Sequence, residues 1–242
     1  MKRHTGLENT RIVEVTPLTK RAFRSSRGLT GGLAFLLMGA LAMVALSACG
    51  APAYTYVADS AASTYYKVPT QWHQISQKDL NAAITAAGGS SSGSWFTAFD
   101  GNSAPSPDDG GSLGLAQPYV FAQVGQLSST ASAEISYDAM RDIWLPVTST
   151  GQQEAASEGF PGTNFTQLRD QTITAAQGVH GVRETFQYTF SGVTDTFDEE
   201  VLTNADQTIL YSLEVHCTKA CYTQNQNSIN TVMSSFTVGS PT

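Results

Sequence analysis

Positive charge is scarce over most of this chain. From Cys49 onward there are six Lys or Arg against eighteen Asp or Glu, a net charge of −12. That balance excludes a nucleic-acid footprint, which needs clustered cations to displace phosphate counterions. It also excludes adhesion to anionic lipid by charge alone. Cysteine is scarce as well, with three in 242 residues and no Cys-x-x-Cys spacing among them. Long apolar runs are missing. The stretch Leu33 to Leu46 holds fourteen residues, about 21 Å as a helix against a hydrocarbon core of about 30 Å, too short to stay in a bilayer. Neither Ser-x-x-Lys nor the phosphate-cradling Gly-x-x-x-x-Gly-Lys occurs, so two common routes to nucleophilic and phosphoryl chemistry lack their signatures.

What is present begins at the N-terminus. Residues 1–28 carry seven basic and two acidic residues, net +5, and the apolar run follows them. A positive arm, a short apolar core and an acidic remainder have the layout of an export signal. The run closes on Leu46-Ser47-Ala48-Cys49. An aliphatic residue, two small residues and a cysteine resemble the lipobox of bacterial lipoproteins. The resemblance implies cleavage between Ala48 and Cys49 and a diacylglycerol thioether on Cys49. The alternative is an ordinary secreted protein cut after Ser47-Ala48, with a chance cysteine beside the cut. On the lipoprotein reading the domain faces outside the cytoplasm, held at the cell membrane by its acyl chains. Two chains make a durable anchor where one binds reversibly. The expected organisation is a signal peptide over 1–48, a flexible tether over 49–62, one domain over 63–238 and a short tail over 239–242.

Within the domain, periodicity predicts a series of elements. Thr64–Val68 and Gln71–Ile75 read as short strands. Ser76 and Asp79 form a capping box ahead of a helix with Leu80, Ala83, Ile84 and Ala87 on one face. Trp95–Phe99 and Tyr119–Leu127 read as strands on either side of a polar loop over 101–118. Ser136 caps a helix carrying Tyr137, Met140 and Trp144, and 148–164 reads as a second polar loop. Phe186, Tyr188 and Phe190 alternate with polar residues, the period of a half-buried strand. A polar strand over Thr196–Thr203 and an alternating one over Ile209–His216 follow. Ile229, Val232, Met233 and Phe236 make a helical stripe, and Phe236-Thr237-Val238 adds a last short strand.

Sequential strands closed by an amphipathic helix predict an α+β fold, an antiparallel β-sheet with two or three packed α-helices. The capped first helix and the finish Ile-Asn-x-Val-Met-x-Ser-Phe-Thr-Val, Ile229 to Val238, resemble PsbP-like lipoproteins over about residues 63–238. That resemblance implies an α/β/α sandwich and a non-catalytic role in envelope binding or assembly.

Cys217 and Cys221 are the strongest chemical signal after Cys49. Four residues apart on a helical turn, their Cα atoms fall inside disulfide range, and thiols oxidise outside the cytoplasm. The expected bridge clips the last long strand to the last helix. A redox pair and a zinc site with His216 are the alternatives, although neighbouring strand residues point to opposite faces. His73, His180 and His216 show no ligand spacing. Asp100 and Asp108-Asp109 read as solvated turns, and Asp198-Glu199-Glu200 as an exposed strand edge or turn whose charge deters pairing. Trp72, Trp95 and Trp144 read as core, with Trp95 and Trp144 as candidates to line a ligand cleft. No catalytic set, cofactor or metal site is expected. The function so read is a binding or assembly module of the envelope, its partners the membrane and an envelope protein or small apolar ligand. A carrier of apolar ligands between membrane and wall, or an envelope hydrolase, is the alternative.

Overall fold

A computed structural model describes residues 53–61, 63–89 and 92–239. Two antiparallel sheets organise them. The small one opens with β1 (Tyr54–Asp59) and β2 (Thr64–Pro69) and is completed on the β2 side by β10 (Thr237–Val238). The large one starts with the short β3 (His73–Gln74), β4 (Ser94–Asp100) and β5 (Tyr119–Gln126). Its other half is β6 (Thr163–Thr174), β7 (His180–Phe190), β8 (Val193–Thr203) and β9 (Ile209–Thr218). The strand order is β3-β4-β5-β9-β8-β7-β6, so β8 runs through the interior of the sheet.

Among the described residues five α-helices accompany the strands: α1 (Gln77–Ala86), α2 (Ser129–Glu134), α3 (Tyr137–Arg141), α4 (Ser149–Ser157) and α5 (Lys219–Ser234). Three of them, α1, α3 and α5, carry buried residues, as the α+β reading requires. One face of the large sheet packs against α5 and the small sheet. Val120, Ala122, Leu213 and Val215 meet Tyr66, Val68, Ile229, Val232 and Met233 there. The opposite face is covered by α1, through Leu80 against Phe96 and Ala98, and by α3, through Met140 against Val182 and Val201.

Several expectations are corrected. The stretch Tyr54–Asp59, assigned above to a flexible tether, is a strand, paired residue for residue with Thr64–Pro69. The polar loop over 148–164 contains α4 and the start of β6. Helix α4 buries no residue, so it has no apolar stripe to announce it. It is held at its start, where Thr148 Oγ1 accepts the Gly151 N–H and Asp142 accepts the N–H groups of Val147 and Thr148. Helix α3 stops at Arg141, which leaves Trp144 outside it. The capping box is only half formed. Ser76 Oγ accepts the Asp79 N–H but donates its own proton to Asp79 Oδ2 at 2.6 Å, so the carboxylate answers the hydroxyl instead of the Ser76 N–H. Finally, β7 is buried on both faces over most of its length, not half-buried, because helices lie on both sides of the sheet.

Candidate functional site

Where the small sheet meets the end of β4, β5 and β9, the surface opens into a cleft of about 420 Å³. Trp95, Val124, Ile209 and Tyr211 line it with apolar and aromatic surface, and Asp59, Ser63 and Gln126 add polar groups at its rim. Strand alternation places Trp95, Val124 and Tyr211 on the same face, since the register pairs Trp95 with Val124 and Val124 with Tyr211. The volume lies within the usual range for small-molecule sites, about 300–1,000 Å³. Trp144 does not join it. Its ring stands edge-on to Phe121 at 5.6 Å on the opposite face of the sheet, so the expected pairing of Trp95 with Trp144 is not made.

That opposite face holds a row of carboxylates. Glu184 on β7, Glu199 on β8 and Glu214 on β9 stand directly opposite one another across three adjacent strands, and Asp170 on β6 faces Glu184. Their relative exposures are 0 % for Glu184, 2 % for Glu199 and 7 % for Glu214. The row runs between an aliphatic pair, Val182 and Val201, and an aromatic pair, Phe186 and Phe197, stacked at 5.4 Å. Cations meet it only at its ends. Arg141 of α3 binds Asp170 at 2.9 Å and lies 3.7 Å from Glu184. His216 Nδ1 is 3.1 Å from Glu214. Glu199, in the middle, has no hydrogen-bond partner on either carboxylate oxygen.

The electrostatics follow from that geometry. Burial pushes the Glu184 carboxyl up to about 7, only partly offset by the hydrogen bond from Gln167 and the nearby Arg141. Burial, then the like charges of Glu214 and Glu184, raise Glu199 well above the carboxylate range. For His216 burial opposes the cation, but the Glu214 carboxylate, Asp195 and the Asp109 carbonyl outweigh it and its pKa is raised. The row is covered, and burial together with like charge favours the protonated carboxyls over the ionised ones.

The residues singled out from sequence fall as follows. Ala48 and Cys49 lie outside the described residues. Cys217 and Cys221 form a disulfide with Cα atoms 5.9 Å apart, joining β9 to the first turn of α5. The ring it closes is small, so its entropic stabilisation is about 2 kcal/mol. His216 points away from the bridge, to the carboxylate face, which removes the zinc alternative. His73 is exposed on β3. His180 Nδ1 sits 2.9 Å from the Gly178 carbonyl and Nε2 3.4 Å from Gln207, rather than beside a carboxylate and a serine. Among the described residues no three His, Cys, Asp or Glu side chains converge as metal ligands would.

Two charge readings are overturned. Asp198-Glu199-Glu200 is not an exposed edge: all three are buried in mid-β8. Asp198, on the α5 side, is bound by Arg183 at 3.3 Å and accepts the Tyr222 hydroxyl at 2.8 Å. Asp100 is not solvated either, but is buried and accepts the N–H groups of Asn102 and Ser106.

No family model matches the sequence, and no curated protein does. Among solved structures the chain is similar to a cyanobacterial PsbP, CyanoP, from Synechocystis sp. PCC 6803. The two share 13 % identity over 81 % of this chain and 98 % of that one, with a TM-score of 0.47. It is also similar to the Ran-binding protein Mog1p of Saccharomyces cerevisiae, at 8 % identity over 77 % of this chain and 96 % of that one, TM-score 0.42. The α+β class itself rests on the sheets and helices described above.

Proposed function

We propose that the chain is a lipid-anchored, extracytoplasmic binding module of the cell envelope that acts without catalysis. The observation that carries the binding half is the cleft beside the small sheet. Trp95 and Tyr211 offer flat aromatic surface at little entropic cost, and the polar rim suits an amphipathic small molecule better than a wholly apolar one. The anchoring half is supported by Leu46-Ser47-Ala48-Cys49 after a basic arm and a short apolar run.

Each half has its own test. Cells fed a labelled fatty acid are expected to yield a labelled mature protein beginning at Cys49, and Cys49→Ser is expected to abolish the label. An unlabelled mature chain would remove the anchor. For the cleft, the amphipathic dye anilinonaphthalene sulfonate is expected to bind the folded protein and quench Trp95. Trp95→Ala is expected to weaken that binding about tenfold, while Trp144→Phe leaves it unchanged. Equal affinities in the wild type and both variants would place the dye elsewhere and sink the cleft as the site.

A further inference from the structure

The chain between Cys49 and the first strand is short. Four residues, 50–53, separate the cysteine from Tyr54. At no more than about 3.5 Å per residue, β1 begins within about 18 Å of the Cys49 Cα. The hairpin that starts there has two unlike faces. Val57, Tyr66 and Val68 turn inward to the core. Alternation and register place Tyr54, Tyr56, Ala58, Tyr65 and Lys67 on the other face, with Tyr56 opposite Lys67 and Ala58 opposite Tyr65.

Tyr56 is 75 % exposed, although a large ring on a structured strand would ordinarily be covered. The Lys67 ammonium sits 4.9 Å from the centre of the Tyr54 ring. Over β1 and β2 one acid, Asp59, balances one base, Lys67, in a chain that is strongly acidic after Cys49. This hairpin is therefore near neutral, and an anionic bilayer repels it little. Tyrosines collect at the membrane–water interface because the ring is apolar and the hydroxyl wet, and lysine stems lie along such surfaces with the ammonium in water.

We propose that the outer face of the small sheet, Tyr54, Tyr56, Tyr65 and Lys67, lies against the headgroup layer of the bilayer that holds the acyl chains. The proposal rests on the lipid-anchor reading. The contact need not be strong, because so short a leash keeps the face at an effective concentration of about millimolar. It fixes the orientation of the domain. The β1–β2 end of the hairpin contributes Asp59 and Ser63 to the cleft, so the same contact holds the cleft beside the membrane surface.

The test uses the lipidated full chain in vesicles of phosphatidylethanolamine and phosphatidylglycerol. Nitroxide labels go on Ala58→Cys, on the outer face, and on Val193→Cys, 44 % exposed at the start of β8. A water-soluble nickel chelate is expected to relax the label at 193 about fivefold more than the label at 58. Tyr54→Ser with Tyr56→Ser is expected to erase the difference while circular dichroism stays unchanged. Equal accessibility at 58 and 193, on protein whose mass includes the lipid, overturns the contact and leaves the anchor standing. A mass without lipid overturns both.

Discussion

The melting temperature is expected to fall by about 10 °C between pH 5 and pH 8. The cause is the buried carboxylate row on the α3 side of the large sheet. A carboxyl whose pKa is raised on folding keeps a proton that the unfolded chain has released. Stability is therefore intact below the unfolded value and declines as pH climbs from there through the folded value. For Glu184 that window runs from 4.5 to about 7. The displacement corresponds to about 3 kcal/mol once the window has been crossed, or about 10 °C for a domain of this size. Glu200, raised to about 7 by burial on the other face, and Glu199 act in the same direction. His216 adds to the trend. Its cation is held by Glu214, and a raised histidine pKa gives stability below the unfolded value that is lost as pH rises through the folded one.

The middle of the row provides the sharper variant. Glu199→Gln keeps the shape, removes the charge and supplies two N–H donors between Glu184 and Glu214. Near pH 8 it is expected to stabilise the fold by about 2 kcal/mol, because the amide neither takes up a proton that the unfolded chain has released nor buries a charge. Near pH 5 the same variant is expected to lie close to the wild type. Urea unfolding at the two pH values measures both. A wild type whose midpoint is flat from pH 5 to 8 would show that the row carries no stored protons.

The second large effect is expected at Gly181. It pairs with Leu202 across β7 and β8, and a Cβ there would stand 2.0 Å from the Val201 carbonyl oxygen and 2.8 Å from the Leu202 Cα. Both contacts are backbone atoms of the neighbouring paired strand, so no side chain can swing aside to relieve them. Gly181→Ala is expected to cost more than about 4 kcal/mol, at the extreme of single substitutions, or to prevent accumulation of folded protein. Gly111→Ala, where the new methyl meets nothing within 4 Å and the backbone needs no left-handed angle, is the matched control. It is expected to change the urea midpoint by an amount near zero. Equal midpoints for the two variants would contradict the close approach of β8 to β7.

Most strands were legible because their signal is local. Ile209, Tyr211, Leu213 and Val215 alternate whatever they pack against, and the Tyr119 strand and the Ile229–Met233 stripe are equally self-contained. Helix α4 was not legible, since nothing on it is buried and its order comes from Thr148 and Asp142 at its start. The β1 strand was hidden by the small residues on either side of it, Gly50-Ala51-Pro52-Ala53 before and Ser60-Ala61-Ala62-Ser63 after, which read as a linker although Tyr54, Thr55, Tyr56 and Val57 favour a strand. Trp95 was marked as a cleft residue from its type alone, but Tyr211, Ile209 and Asp59 were not. They reach the same opening from places more than a hundred residues apart in the chain.

The Cys217–Cys221 bridge was legible in the sequence, because a separation of four residues brings two Cα atoms within bonding reach once the chain turns into a helix between them. The α+β class was determined too, by hydrophobic periods that each span only a turn or a few strand residues. Which charges are buried was decided by tertiary structure. Asp198-Glu199-Glu200 is an ordinary polar segment until the strand order sets β8 between β7 and β9. The hairpin registers then align Glu184, Glu199 and Glu214 across three strands. Burial and like-charge repulsion depend on neighbours distant in the chain, and no window along it contains them.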